Sequence, residues 1–170
     1  MRRLVPLGVG ACLLAAAPAA SAQDERVIRS VRGIVQAVAP VTAETDGLQG
    51  VRELLGTPTS VRRTSTSCRA RFLQLGLTVL LANFGGGSAC VFGSPQTLTA
   101  DGVGWRTNAG LAVGDPTSRI RQLDRRARFA DGRWELQRAR LFGTPRPTLW
   151  AYPKTGRVAR IRAFLGGAGD

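Results

Sequence analysis

Two cysteines, Cys68 and Cys90, bracket a run of β-forming residues and stand 22 positions apart. The third cysteine, Cys12, falls in an N-terminal stretch that reads as a leader. In that stretch Arg2 and Arg3 form a basic start, an apolar run follows, and Ala20-Ser21-Ala22 supplies the small residues of a signal-peptidase site. The apolar run is shorter than the roughly 20 residues a spanning helix needs. Cleavage after Ala22 is therefore expected, leaving a secreted or extracytoplasmic chain with no transmembrane segment. An uncleaved anchor, or lipidation at Cys12, is the alternative. Two cysteines in an exported chain point to one disulfide, Cys68–Cys90, whose loop closure is worth about 3 kcal/mol. Two buried free thiols are the alternative.

The chain of 170 residues has 44% hydrophobic residues, enough for a real core. It has no histidine. That removes Ser-His-Asp and Cys-His catalysis, imidazole-ligated zinc and a histidine general base. The residues imply no cofactor and no metal.

Along the chain, Val27, Ile28, Val31, Ile34, Val35 and Val38 recur at helix-like spacing, so residues 23–40 read as a helix. β-Branched content and Gly33 favour an extended arm instead. Asp46 is placed to cap a short helix carrying Leu48, Val51, Leu54 and Leu55, closed by Gly56 and Pro58. Strands are expected at 72–75, 77–82 and 89–92, with Gly85-Gly86-Gly87 as the turn before the last. Cys68–Cys90 would then tie the entry of this sheet to its final strand. Later, Asp115-Pro116 reads as cap and first helical position before Ile120, Leu123 and Ala127. Strands follow at 133–141, 148–152 and 157–164, the last two flanking a Pro153-Lys154-Thr155-Gly156 turn.

At an offset of 69, Asp46 meets Asp115, Val51 meets Ile120, Leu54 meets Leu123 and Gly87 meets Gly156. The expected organisation is a leader (1–22), an N-terminal arm or helix (23–40) and two units, 41–100 and 101–170. The fold expectation is α+β: two tandem units of short helices packed on an antiparallel sheet, with one disulfide.

The run GLQGVRELLGTP at 47–58 and its counterpart GLAVGDPTSRI at 110–120 resemble the helical opening of β-lactamase-inhibitory-protein-like repeats. Small outer-membrane lipoproteins of the SmpA/OmlA type share that opening. The resemblance covers most of residues 41–165 and implies two short helices packed on an antiparallel sheet. Gly50 and the missing Leu-Gly-x-Pro of the second copy depart from the pattern. Members serve as protein-binding modules, enzyme inhibitors in one branch and assembly-machine subunits in another. The resemblance carries no contact residues of either branch onto this chain.

Lys154-Thr155-Gly156 matches the Lys-Thr-Gly box of serine β-lactamases, which works beside a Ser-x-x-Lys nucleophile. Lys154 is the sole lysine, so that partner motif does not exist here. Asp101, Asp115, Asp124 and Asp131 lack glycosidase or EF-hand spacing. The chain is expected not to be an enzyme.

Arginine is the unusual feature, in a chain of formal net charge +13. On strands, Arg138 and Arg140 share one face, as do Arg160 and Arg162. With Trp134, Trp150 and Tyr152 nearby, these residues form the candidate binding surface, suited to anions through bidentate contacts and cation–π stacking. A merely solvated arginine face is the plainer reading. The functional expectation is a secreted, non-enzymatic binding module whose sheet face engages an envelope or extracellular protein. The alternative is a basic, cell-wall-associated protein holding an anionic envelope polymer. Nucleic acid is the least favoured partner, because no recognition motif accompanies the charge.

Overall fold

The computed structural model describes residues 26–31, 34–141 and 143–166. The leader, with its cleavage site after Ala22 and Cys12, lies outside the described residues.

Strands dominate, and this overturns the α+β expectation. Twelve strands form two sheets of four and eight, accompanied among the described residues by three short α-helices and one 3-10 turn at Leu73–Leu75. The small sheet contains β1 (Val27–Val31), β2 (Ile34–Val38), β3 (Val41–Thr42) and β8 (Arg106–Thr107), in the order β3-β2-β1-β8. The expected helix over 23–40 is thus a hairpin in its described part. A break in the β1–β2 register between Arg29 and Ser30 lets the valines mimic helical spacing. Their β-branching was the truer signal, since it favours a pleated surface.

The large sheet contains β4 (Ser60–Arg63), β5 (Ser67–Phe72), β6 (Leu77–Ala82), β7 (Ser94–Ala100), β9 (Arg128–Ala130), β10 (Arg133–Leu141), β11 (Thr144–Lys154) and β12 (Arg157–Phe164). Its order is β4-β5-β6-β7-β12-β11-β10-β9, antiparallel throughout. A single sheet therefore runs through both stretches expected to be helix-covered units. The two meanders meet where β7 pairs with β12, Thr99 opposite Arg162.

Alternation gives this sheet one apolar face. Cys68, Ala70 and Phe72 on β5, Leu77, Val79 and Leu81 on β6, and Ile161 and Ala163 on β12 are buried. Two different layers cover it. Helices α1 (Gly47–Leu55) and α2 (Ala89–Phe92) lie over β5 and β6, whereas β2 of the small sheet lies over β10, β11 and β12. One continuous core results, with Val51, Leu81, Leu98, Ile161, Val35 and Val38 all within it.

Several local expectations change in detail. Residues 89–92 form α2 and not a return strand, so the Cys68–Cys90 disulfide ties β5 to a helix, across 5.0 Å between Cα atoms. Gly93 follows at once and Pro95 sits in β7, which leaves α2 no room to extend. Asp46 is the residue before α1, without a side-chain capping bond, and Gly56 ends it with φ 81°. Asp115 caps no helix. Helix α3 (Ser118–Leu123) starts after Thr117, while the Asp115 carboxylate accepts the Ala112 N–H at 2.8 Å and pairs with Arg119 at 3.1 Å. Asp115 thus braces the loop before the helix.

Candidate functional site

The other face of the large sheet is open and polar. One register row crosses seven strands: Ser60, Arg71, Thr78, Thr99, Arg162, Trp150 and Glu135 lie opposite one another in turn. A neighbouring row carries Arg62, Arg69, Leu80 and Thr97. These rows enclose an open groove of about 620 Å³. Arg62, Arg69 and Arg71 form one wall and Arg160 and Arg162 the other, with Thr78, Thr97 and Thr99 on the floor. The walls stand three strand spacings apart, about 14 Å. Asp101 is the one carboxylate in the lining, 3.7 Å from Arg71 in an exposed ion pair.

The second wall continues into an arginine–aromatic cluster. The Arg160 guanidinium lies 4.4 Å from the Tyr152 ring centroid. Arg133 and Arg162 lie 5.7 and 5.9 Å from the Trp150 centroid. Stacking uses the face of a guanidinium and leaves its in-plane N–H donors for an oxyanion. Burial pushes the Tyr152 phenol up, but hydrogen bonds from Arg133 and Arg162, together with their positive charges, outweigh it and set its pKa below 10. The Trp150 indole N–H is buried without an acceptor among the described residues.

Of the residues singled out from sequence, Arg160, Arg162, Trp150 and Tyr152 come together on this face. Trp134 does not. It is opposite Ala151, which is fully buried, and packs against the core with Phe129 at 5.3 Å and Arg121 over its ring at 5.4 Å. Arg138 and Arg140 stand apart as well. Two register breaks in the β10–β11 pairing, on either side of Gln137, interrupt the alternation, and the two arginines oppose Pro147 and Pro145. Arg138 is engaged by Glu135 at 2.7 Å and by the Pro145 carbonyl.

Sequence reasoning missed Arg62, Arg69 and Arg71 as groove residues. Cys68-Arg69-Ala70-Arg71-Phe72 alternates buried and exposed residues, so a shared face for Arg69 and Arg71 was available. The pairing that brings them before Arg162 was not.

Among the described residues, no helix is long and apolar enough to cross a membrane. No family model and no curated protein matches the chain. Among solved structures, the chain is similar to the uncharacterized protein yfeY from Escherichia coli, with 12% identity and a TM-score of 0.38 over 82% of this chain and 99% of that chain. A TM-score that low does not amount to a shared fold.

Proposed function

We propose that the chain is a non-enzymatic binding module that acts outside the cytoplasm and engages an acidic surface of another protein through the open face of its large sheet. The observation that carries this is the groove, where five arginines on two walls flank a threonine floor and only one carboxylate, Asp101, lies in the lining. Guanidinium groups braced by aromatic rings have little side-chain freedom left to lose, which favours bidentate carboxylate contacts. The groove presents donors and a lone acid, which suits holding an anion better than acid–base chemistry. The disulfide is compatible with an oxidising compartment. The resemblance to β-lactamase-inhibitory-protein-like repeats points the same way, toward a module that works by protein contact.

Titration with poly-L-glutamate, followed by tryptophan fluorescence, tests the reading against polyglycerol phosphate as the envelope-polymer alternative. Poly-L-glutamate is expected to bind, with affinity falling steeply as salt rises. The double variant Arg160→Glu, Arg162→Glu is expected to weaken it about tenfold or more. Binding of polyglycerol phosphate alone would transfer the groove to the alternative. Binding of neither polymer would remove both.

A further inference from the structure

A second cationic feature lies at the far edge of the same sheet. Strand β10 has nine residues, but β9 pairs with only three of them, Arg133 to Glu135. Beyond Glu135, β10 has no strand partner on the β9 side among the described residues and pairs with β11 alone, Leu136 falling in the register break. The chain before β9 turns away, and an open groove of about 1070 Å³ is left between it and β10.

Glu135, Leu136, Gln137 and Arg138 all line this groove. The register breaks on either side of Gln137 interrupt the alternation here, so all four reach the groove, which also touches Pro145 of β11. Its other wall carries Arg125, Arg126 and Arg128, none of which has a carboxylate partner among the described residues. Both carboxylates in the lining are already engaged: Glu135 by Arg138 at 2.7 Å, and Asp124 by the Arg126 N–H at 2.9 Å. Gln137 contributes a buried side-chain oxygen without a donor.

We infer that the Leu136–Leu141 edge of β10 is a docking site for an extended acidic peptide segment, which adds as a strand in the lane that β9 leaves empty. A one-sided strand presents backbone groups in the geometry that strand addition uses. Six residues span about 20 Å, the length of an ordinary strand. The arginines choose the occupant. They repel the equally basic edge of a second copy of this chain and attract carboxylates on alternate positions of a partner strand. The site is independent of the open-face groove, which lies over β4 to β7 and β12.

The test uses the full chain and an acetylated octapeptide of alternating Glu and Val, followed by amide exchange and chemical shifts. Saturable binding is expected, with slowed exchange on alternate β10 amides beyond the register break, between Arg138 and Leu141. An analogue N-methylated at every second residue keeps its charge but loses one hydrogen-bonding edge, and is expected to bind at least about tenfold more weakly. Arg125→Glu with Arg126→Glu is expected to weaken the octapeptide by a similar factor, whereas Arg29→Glu with Arg52→Glu, at exposed arginines that line neither groove, leaves it unchanged. Equal binding of the methylated analogue would overturn strand addition in favour of simple charge attraction. Protection appearing on β4, or binding indifferent to the Arg125 and Arg126 changes, would assign the peptide to the open face.

Discussion

Arg160 and Tyr152 sit directly opposite one another on β12 and β11, and the guanidinium stacks 4.4 Å from the phenol ring centroid. Arg162 and Trp150 repeat the arrangement one step along. The second wall of the groove is therefore built from cross-strand arginine–aromatic pairs, which hold its positive charge in place.

Tyr152 is the only tyrosine, so its ionisation reads cleanly in ultraviolet absorbance. Burial raises its pKa, but the Arg133 and Arg162 hydrogen bonds and charges lower it further, so the midpoint is expected below 10. Arg133→Ala and Arg162→Ala should each move it upward. The sign for stability follows from linkage. Between the lowered folded value and the unfolded value near 10, the unfolded state binds more protons, so this group's contribution grows as pH rises through that window. It is fully present above the unfolded pKa and lost as pH falls through the folded one. A midpoint above 10 in the unaltered protein would contradict the arrangement.

Reduction of Cys68–Cys90 releases a closed loop of 22 residues. The expected cost is about 3 kcal/mol, a fall in Tm on the order of 10 °C by calorimetry. Equal melting of the oxidised and the reduced, alkylated protein would show that α2 is held to β5 by packing alone.

Trp105 and Trp150 should respond unequally to loss of their N–H. Trp105 is 2% exposed and donates to the Leu75 carbonyl at 2.7 Å. Trp105→Phe is therefore expected to cost about 2 kcal/mol in denaturant unfolding, from the lost bond, the stranded carbonyl and the missing volume. Trp150 has a buried N–H without an acceptor among the described residues, so Trp150→Phe removes an unpaid desolvation cost and should lie within about 1 kcal/mol of the parent.

Gly76 has φ 56°, and a Cβ there would fall on the backbone of Gly102. The Gly76 carbonyl also receives the N–H groups of Asp101 and Gly102, at 2.8 and 3.1 Å. Gly76→Ala is expected to cost about 2–3 kcal/mol, because neither backbone can retreat without breaking these bonds. Gly86 has φ 89° with open space around it, so Gly86→Ala should cost only about 1 kcal/mol. Similar losses for both in urea unfolding would mean that the close approach at Gly76 is of no consequence.

How far the fold was legible depended on the range of the interactions. Strands 133–141 and 157–164 were read with the bounds they have, because their alternation and the Thr155-Gly156 turn are local signals. The same local logic failed at 27–38, where a hairpin with a register break imitates helical spacing. It failed again at 89–92, where four residues are too few for periodicity to distinguish α2 from a strand. The site divided in the same way. Arg160, Arg162, Trp150 and Tyr152 belong to one hairpin and were found together. Trp134 was misplaced because proximity in sequence says nothing about the face: Trp134 itself is opposite the buried Ala151, whereas its neighbour Glu135 is opposite Trp150. Arg62, Arg69 and Arg71 were missed because only the β7–β12 pairing, 61 or more positions apart in sequence, sets them before Arg162.

That pairing has a temporal consequence. The last-made strand of the described chain is the fifth of eight in the sheet, flanked by β7, made long before it, and by β11, made just before it. Until β12 is in place, no strand pairing joins the two meanders of the large sheet, and the two walls of the arginine groove do not face each other. A chain that lacks β12 therefore carries the arginines of β4 and β5 without the wall they face.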